Sequence, residues 1–516
     1  MSKNSMIIGD DELALSDIRF FLDHNPQVIL ADSVKNKIIR SRDIIDDIVN
    51  SGKTVYGVNT GFGKFADVHI KSDETAELQR RLVLSHAAGV GEPMPKEIVR
   101  LMMLLKIKNL SLGYSGVRLQ LVQLLTDMLN RGIVPVVPRK GSVGASGDLA
   151  PLAHIALVMI GEGEAFLKQE DGYKRLTGAA ALKDVGLQAL PFGAKEGLAV
   201  LNGTQAMQAQ GLWALIQARK LVKSADIIGA MSLEALLGTL TAFDGRIHQI
   251  RNHPGQAAVG NNFRKILHRS PIVESHRYSD NKVQDAYSLR CSPQVHGAVR
   301  DALDYVESVF VREMNGVTDN PLVFPDNGDV LSGGNFHGEP LALAADYLGI
   351  VMAELGNISE RRIEHMLDPA VSEMAGFLTE EGGLNSGFMI AQVTAAALVS
   401  ENKVLAHPSS VDSIPTSANK EDHVSMGSYA ARKAMEIVDN VENVYAVELI
   451  CACQALELRH PLQPSATTRK ILERVRRQIA HWDKDRIMHK DIDAAKIMIA
   501  SGELINQAEE VCGTLN

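Results

Sequence analysis

The segment GSVGASGDLAPL, residues 141–152, contains an Ala145-Ser146-Gly147 tripeptide that can react with itself. Because glycine has no Cβ, the amide nitrogen of Gly147 can approach the Ala145 carbonyl carbon in a tight bend. Ring closure and the loss of two waters, one from the ring and one from the Ser146 side chain, would leave an exocyclic alkene conjugated to an imidazolone. The segment therefore encodes a candidate electrophile.

The residues after the tripeptide predict the start of a helix. Asp148 is expected to be the N-cap of a helix over Leu149–Ile160, with Pro151 in its first turn. The partial positive charge at that helix end would favour negative charge developing on the ring. Taken alone, the same pattern also describes a glycine-rich turn before a capped helix. Residues elsewhere in the chain are needed to distinguish an electrophile from a plain turn.

Further strings with chemically active residues occur along the chain in the order YGVNTGFG, SHAAGVG, NGT, VQDAYSLRC, TDNPLVF, SGGNFHGEP, GLNSGFMIAQVTAAAL and EDHVSM. Together with GSVGASGDLAPLAH they resemble the family of aromatic amino acid ammonia-lyases and aminomutases that carries the 4-methylideneimidazole-5-one group, and within it the histidine-specific branch. The resemblance runs from Tyr56 to Glu457. It implies that the group forms from residues 145–147, without a metal or nucleotide cofactor.

The implied reaction removes a weakly acidic β-proton and an amine, so it requires an electron sink, a base and a site for the substrate carboxylate. The resemblance places Tyr56 beside the electrophile as the base, and Tyr287 is the alternative for proton transfer. The catalytic residues that the resemblance implies are Tyr56, Ala145, Ser146, Gly147, Asn202 and Tyr287.

Substrate choice is implied by a second group of residues. Arg290 carries a planar fork that can hold a carboxylate in two places. His86 and Glu421 match residues of histidine-specific members, where they can hydrogen-bond an imidazole. The substrate-binding residues that the resemblance implies are Ser85, His86, Gln284, Arg290, Phe336, Met389 and Glu421. The expected reaction is non-oxidative deamination of L-histidine to trans-urocanate and ammonia; the alternative is a tyrosine or phenylalanine ammonia-lyase or aminomutase with the same electrophile.

Other catalytic patterns are incomplete. The stretch 52–54, Gly-Lys-Thr, lacks the leading glycine of a phosphate-binding loop, because that position holds Asp47. A nucleophile elbow around Ser146 would need glycine where Asp148 stands. No H-E-x-x-H zinc motif and no S-S-x-M-P-x-K-x-N loop of fumarase-like lyases occurs in the sequence. An inactive scaffold is disfavoured because the residues of the implied site are intact.

Composition limits the partners and the location. The chain has 516 residues and a formal net charge of -9, without a run of like charges that would predict a nucleic-acid or membrane partner. Its N-terminus lacks the charged start and apolar stretch of a secretory signal, so we expect a cytoplasmic protein. Cys451 and Cys453 lie in an apolar helical run and are expected to be buried structural thiols.

The elements that must position these residues are mostly helices. Apolar residues recur at helical spacing over Leu198–Leu240, Glu339–Leu367, Met389–Leu405 and Ser425–Leu458, whereas strand patterns are limited to Lys53–Val58 and Glu164–Leu176. The pattern predicts a mainly α fold: a long-helix bundle, a smaller mixed N-terminal part with the electrophile loop, and an oligomeric helical core.

The chain is expected to divide into three parts. These are residues 1–195 with the electrophile loop, the central helices of residues 196–462, and the C-terminal helices of residues 463–516. The apolar stretch Phe388–Val399 is too short and too interrupted for a membrane span, so we expect a buried helix there. The resemblance implies a homotetramer whose active sites are shared between subunits.

Overall fold

The computed structural model describes residues 4–60, 74–278 and 282–516. The predicted fold class, mainly α, is confirmed. In chain order the helices are α1 (Leu15–His24), α2 (Asp32–Ser51), α3 (Thr75–His86), α4 (Lys96–Ser111), α5 (Leu119–Asn130), α6 (Leu149–Met159), α7 (Gly178–Asp184), α8 (Glu196–Leu201), α9 (Gln205–Ala235), α10 (Gly245–Arg251), α11 (Pro254–Ile266), α12 (Pro271–Ser275), α13 (Tyr287–Arg290), α14 (Ser292–Met314), α15 (Glu339–Leu367), α16 (Pro369–Ser372), α17 (Met389–Leu405), α18 (Gly427–Leu458), α19 (Ala466–Arg476), α20 (His489–Ala500) and α21 (Glu503–Cys512).

Short strands form four small sheets in the described part of the chain. The strands are β1 (Ser5–Ile8), β2 (Gln27–Leu30), β3 (Val90–Pro93), β4 (Ile133–Pro135), β5 (Pro138–Lys140), β6 (Glu164–Gln169), β7 (Gly172–Thr177), β8 (Leu322–Phe324) and β9 (Asp329–Leu331). Strands β1 and β2 pair in parallel, and the antiparallel sheets have the orders β3-β5, β4-β6-β7 and β8-β9. The strand pattern predicted at Glu164–Leu176 is confirmed as the β6-β7 hairpin, with Glu164 opposite Thr177.

The strand predicted at Lys53–Val58 is wrong, because this stretch forms a turn. The Asn59 side chain accepts a hydrogen bond from the Val55 amide and donates one to the Lys53 carbonyl. Such side-chain bonds to a nearby backbone compete with strand pairing. Of the string YGVNTGFG, residues 56–63, only Tyr56 to Thr60 lie within the described residues.

The chain forms two compact units, each made of several stretches. Unit 1 comprises Met1–Trp213, Glu307–Asp346 and Pro408–Arg432, and unit 2 comprises Ala214–Val306, Tyr347–His407 and Lys433–Asn516. The nine strands β1 to β9 all belong to unit 1. The boundaries expected near residues 195 and 462 remain a prediction.

Three of the four long helices were predicted closely, and the fourth is interrupted. The helix expected over Leu198–Leu240 is divided into α8 and α9 by Asn202–Thr204. At this break Gly203 has a φ of +120°, which is outside the helical range, and it forms a parallel β-bridge with Gly147. The apolar period continues through the break, so it gave no sign of the interruption.

Helices α15 and α18 pack closely in unit 2. A Cβ at Gly349 of α15 would lie 3.0 Å from Ile437 Cδ1 of α18, and one at Gly356 would lie 3.2 Å from Val441 Cγ2. Small residues at these positions let the two backbones approach each other. Helix α15 is also long and apolar enough to cross a membrane by length and composition, but 67% of its apolar window is buried inside the protein.

Helix α17 has the predicted bounds but not the predicted burial. The apolar stretch Phe388–Val399 was expected to be buried, yet Ile390 and Val393 are 59% and 52% exposed. Ala391 and Ala395 face the interior. The helix therefore presents an apolar stripe on the surface of the isolated chain, which burial arguments from composition alone do not reveal.

Candidate active site

The electrophile loop is held in a bend by backbone contacts that only glycine permits. Gly144 and Gly147 have φ values of +68° and +72°. A Cβ at Gly147 would lie 2.1 Å from the carbonyl oxygen of Gly203. The Asp148 amide donates to that same oxygen at 2.7 Å. The chain thus bends at residues 144–146 and requires glycine at 147, and both features fit the group that the resemblance implies.

Asp148 stands at the N-cap position of α6, as predicted, but its side chain does not cap that helix. Instead the carboxylate accepts hydrogen bonds from the Ser142 hydroxyl at 3.1 Å and from the Met207 amide at 2.8 Å. Met207 is in the first turn of α9, where backbone amides have no partner within the helix. Asp148 therefore accepts a hydrogen bond from the N-terminal turn of α9 and not from its own helix. Burial raises the pKa of Asp148 to about 6, although these hydrogen bonds oppose the shift.

Asn202 lies at the end of α8 within a buried polar network of unit 1. Its side-chain amide donates to the Asn320 carbonyl at 2.8 Å and to Asp319 at 3.3 Å. Asp319 also pairs with Lys195 at 2.6 Å, and both of these side chains are fully buried. The network fixes the orientation of the Asn202 amide beside the Gly203 bridge to the electrophile loop.

Lys106 of α4 also contacts the segment around Asn202. Its ammonium group donates hydrogen bonds to the Ala199 and Asn202 carbonyls at the end of α8. Burial lowers the pKa of Lys106 to about 7, while the nearby carboxylate of Asp319 opposes the shift. The site thus contains a buried lysine that the sequence reasoning did not single out.

Three segments of unit 1 converge on Met207 and Ser425. A Cβ at Gly144 would lie 2.2 Å from Ser425 Oγ, and one at Gly338 would lie 2.6 Å from Met207 Sδ. The Ser425 hydroxyl donates to the Gly144 carbonyl at 3.1 Å. Phe336 is half-buried and lies two residues before Gly338. The loop that carries Phe336 is therefore anchored beside the electrophile loop.

Glu421 is joined directly to the tripeptide. The Ser146 hydroxyl donates to Glu421 Oε1 at 3.0 Å. Glu421 Oε2 accepts from Thr416 Oγ1 at 2.6 Å and from Ser417 Oγ at 2.7 Å. The two residues are 275 positions apart in the chain, and the fold of unit 1 brings them together.

His86 ends α3 close enough to Glu421 for their charges to interact. Its Nδ1 lies 2.8 Å from the Leu82 carbonyl, which can only accept, so the neutral ring carries its proton on Nδ1. Nε2 then holds a lone pair. Burial lowers the pKa of His86, and the Leu82 carbonyl and Glu421 oppose that shift. Ser85 is exposed, and its hydroxyl donates to the Leu82 carbonyl at 3.1 Å.

His154 links the two motifs SHAAGVG and GSVGASGDLAPLAH. Its Nε2 accepts a hydrogen bond from the Gly89 amide at 3.3 Å. His154 lies on α6, which begins directly after Asp148, and Gly89 follows the end of α3. This bond therefore ties the segment after His86 to the helix after the electrophile loop. Burial lowers the pKa of His154, which keeps the ring neutral as an acceptor.

Tyr56, the predicted base, also belongs to unit 1. It is half-buried in the turn that follows α2. The next residue, Gly57, has a φ of +72°, and a Cβ there would lie 2.7 Å from Leu198 Cδ2 of α8. The turn is therefore packed against the helix that ends at Asn202.

The remaining predicted residues belong to unit 2. Gln284 and Arg290 line a cavity of about 890 Å³ there. The Arg290 guanidinium lies 4.7 Å from the ring centre of Tyr287, and its buried Nε has no hydrogen-bond partner among the described residues. Tyr287 is 71% exposed. A guanidinium with an unsatisfied nitrogen suits a carboxylate ligand.

A buried ion pair supports the short helix α13 that carries Tyr287 and Arg290. Arg362 of α15 donates to Glu448 of α18 at 2.9 Å, and both side chains are fully buried. The same guanidinium lies 3.4 Å from the Ser288 carbonyl within α13. The interior of unit 2 thus fixes the backbone from which Arg290 projects. Met389, also in unit 2, is the first residue of α17 and is 36% exposed.

The structure therefore divides the predicted site into two groups. Unit 1 holds Tyr56, Ser85, His86, Ala145, Ser146, Gly147, Asn202, Phe336 and Glu421. Unit 2 holds Gln284, Tyr287, Arg290 and Met389. Among the residues that the structure describes, no cluster of three or more histidine, cysteine or carboxylate side chains could hold a metal ion.

Ser142, Lys106 and His154 contribute to the site without having been predicted from the sequence. A signal existed for Ser142, because a serine two residues before a glycine turn often bonds its own backbone. No local pattern marks Lys106 or His154, since their partners lie 96 and 65 residues away.

The model of the aromatic amino acid lyase family matches residues 13–477. The chain belongs to this family and is an enzyme of the lyase class. It is 50% identical over 506 residues to the histidine ammonia-lyase of Natranaerobius thermophilus. This alignment covers 98% of the present chain and 99% of that protein.

Two solved structures show the same fold. The histidine ammonia-lyase of Trypanosoma cruzi has a TM-score of 0.91 at 42% identity and covers 98% of this chain and 95% of its own. The tyrosine aminomutase of Streptomyces globisporus has a TM-score of 0.91 at 32% identity and covers 98% of this chain and 99% of its own. The fold therefore serves more than one reaction, and the side chains of the site must specify which.

Proposed function

We propose that this enzyme removes ammonia from L-histidine to give trans-urocanate, using a 4-methylideneimidazole-5-one group formed autocatalytically from Ala145, Ser146 and Gly147. The observation that carries the proposal is the meeting of Ser146 and Glu421 at 3.0 Å with His86 close by. The tripeptide is thus hydrogen-bonded to a carboxylate whose charge acts on the His86 imidazole. The similarity to histidine ammonia-lyases along nearly the whole chain supports the same substrate.

His86 and Glu421 are suited to a substrate imidazole. The lone pair on His86 Nε2 can accept an N–H from that ring, and the Glu421 carboxylate can accept an N–H or stabilise a positive charge there. The 4-methylideneimidazole-5-one group supplies an electron-poor alkene that draws electron density from the substrate. The start of α6, one residue after Asp148, adds amide dipoles that favour negative charge at this place.

The substrate carboxylate is assigned to Arg290. Its planar guanidinium can donate two parallel hydrogen bonds to a carboxylate, and its buried Nε has no hydrogen-bond partner among the described residues. Tyr56 is proposed as the base that removes the β-proton, and the exposed Tyr287 is the alternative. Asn202, Gln284, Phe336 and Met389 are proposed to contact the substrate or the electrophile.

We further infer a cytoplasmic homotetramer whose active sites combine residues of different subunits. The exposed Tyr287 and the exposed apolar stripe of α17 in unit 2 support contacts with other copies of the chain. The four cysteines are all free thiols, as expected in a reducing compartment.

Replacement of Ser146 by alanine tests the proposed electrophile. The purified protein should have lost two waters relative to its encoded mass. Ser146→Ala should lose at most the ring water, because it has no side-chain hydroxyl. Ser146→Ala should also lose about 1000-fold or more in the rate of urocanate formation, because the electron sink is absent. Intact-protein mass and urocanate absorbance measure the two effects. A wild-type protein at its full encoded mass that still produced urocanate would disprove the proposed group.

The alternative is a reaction on tyrosine or phenylalanine, and the related tyrosine aminomutase keeps it open. Incubation with histidine, tyrosine and phenylalanine, followed by product analysis, separates the cases. Coumarate from tyrosine would indicate a tyrosine lyase, and a β-amino acid would indicate an aminomutase. Urocanate from histidine as the main product is the expected outcome.

A further inference from the structure

The Ser146 hydroxyl, which must leave during formation of the electrophile, has a carboxylate partner in the folded chain. Ser146 Oγ and Glu421 Oε1 lie 3.0 Å apart. This contact involves a hydroxyl that the finished group does not contain. A role of Glu421 in substrate binding therefore leaves the contact in the unreacted chain unexplained.

Glu421 is held so that one oxygen points at the tripeptide. Oε2 is occupied by the hydroxyls of Thr416 and Ser417. The backbones of Thr416 and Glu421 form an antiparallel bridge, with the Thr416 amide donating to the Glu421 carbonyl at 2.9 Å. These bonds leave Oε1 for Ser146, so the carboxylate is positioned before any substrate arrives.

We propose that Glu421 is a catalytic residue of electrophile formation, where it removes the Ser146 hydroxyl as water. This role rests on the proposed function, because it presumes that the tripeptide matures. It also assigns two successive tasks to one carboxylate: dehydration of Ser146 in the new chain, and contact with the substrate imidazole afterwards.

The chemistry balances with this single carboxylate. In ring closure the Gly147 nitrogen bonds to the Ala145 carbonyl carbon, and the carbonyl oxygen leaves as the first water with the amide protons of Gly147 and Ser146. In the second step the Glu421 carboxylate takes the proton from Ser146 Cα and passes it to Oγ. The Cβ–Oγ bond breaks, Cα and Cβ become doubly bonded, the second water departs, and the carboxylate is restored.

The reach of Glu421 follows from its contact with Oγ. Cα is two bonds from Oγ, so a carboxylate hydrogen-bonded to the hydroxyl is also near the Cα proton. The two buried ionisable groups next to the electrophile loop, Asp148 and Lys106, are committed elsewhere. The Asp148 carboxylate is bonded to Ser142 and Met207, and the Lys106 ammonium group is bonded to backbone carbonyls. Glu421 is the carboxylate that accepts the hydrogen bond of the leaving hydroxyl.

The test follows the mass of newly made protein over time for the full chain, Glu421→Gln and Asp422→Asn. Glutamine keeps the size and an acceptor for Thr416 and Ser417 but cannot carry the proton. We expect Glu421→Gln to lose the ring water normally and the second water about 100-fold more slowly, the range typical of a lost acid–base group. The exposed neighbour Asp422 is the matched control, and Asp422→Asn should lose both waters at the wild-type rate.

Loss of both waters from Glu421→Gln at the wild-type rate would overturn the proposal, and so would a folded variant that loses neither. A wild-type chain that loses no water would instead contradict the proposed function itself. Circular dichroism establishes that the variants fold. Should Glu421→Gln fail to fold, Glu421→Asp carries the test, because its shorter carboxylate is expected to slow only the second loss. A second loss at the wild-type rate in that variant would again overturn the proposal.

Discussion

The protonation state of His86 should control substrate binding at acid pH. Its pKa lies below the usual 6.5, chiefly because the ring is buried, so the ring is neutral at pH 7. As the pH falls through the lowered pKa, Nε2 gains a proton and can no longer accept an N–H from the substrate imidazole. Activity that depends on this acceptor is therefore present above the pKa and lost below it.

We predict that His86→Gln raises the KM for histidine about tenfold, the cost of one hydrogen bond, and changes the acid side of the pH profile. The measurement is kcat/KM against pH for both proteins. The substrate imidazole titrates in the same range, so the comparison between the two profiles isolates His86. Arg81→Gln, at an exposed position of α3 whose ion-pair partner is Glu77, is the neighbouring control. Identical acid limbs in wild type and His86→Gln would show that His86 does not bind the substrate as proposed.

At the scale of elements, the site depends on close contact between the electrophile loop and the segment that leads into α18. Gly144 touches this segment, since a Cβ there would lie 2.2 Å from Ser425 Oγ. Gly172, in the turn between β6 and β7, also has a positive φ, but a Cβ there meets nothing within 4 Å. The two glycines share a backbone requirement and differ in what surrounds them.

Gly144→Ala should therefore impair electrophile formation, whereas Gly172→Ala should not. Both substitutions cost about 1–2 kcal/mol for a left-handed backbone, which lowers the melting temperature modestly. Only Gly144→Ala pushes Ser425, and with it the segment of Glu421, away from the tripeptide. Intact mass separates the two effects: an incomplete loss of two waters is expected for Gly144→Ala alone. If both variants lost two waters completely, the contact between Gly144 and Ser425 would not position the site.

The elements show what the sequence could and could not predict. The bounds of α15 and α17 were predicted because an unbroken apolar period specifies a helix locally. The break between α8 and α9 was missed, since it depends on the contact of Gly203 with Gly147, which is distant in sequence. The exposure of α17 was missed for the related reason that composition does not reveal which face of a helix is covered.

The same distinction applies to the site. The identities of Ser146, His86 and Glu421 were found through the resemblance, but no local pattern predicts their meeting in unit 1. Lys106 was missed because its partners are backbone carbonyls, which carry no sequence signal. Family motifs thus predict which residues matter, while long-range contacts decide what each one touches.

At the scale of the whole molecule, the shared-site proposal can be tested by combining inactive variants. Ser146→Ala and Arg290→Gln should each be inactive alone, because one lacks the electrophile and the other lacks the carboxylate contact. If Ser146 and Arg290 of one site come from different subunits, co-expression should restore activity in mixed assemblies. With random mixing, about one site in four receives both intact residues.

The matched control pairs Ser146→Ala with Glu421→Gln. Their side chains are hydrogen-bonded within one chain, so every site in a mixed assembly inherits one defect or the other. No recovery above the residual activity of the single variants is expected from this pair. Recovery with Arg290→Gln but not with Glu421→Gln would therefore assign Arg290 to a different subunit from the electrophile. Absence of recovery in both pairs, with mixed assemblies isolated through two different tags, would place Ser146 and Arg290 of each site on one chain and refute the shared site.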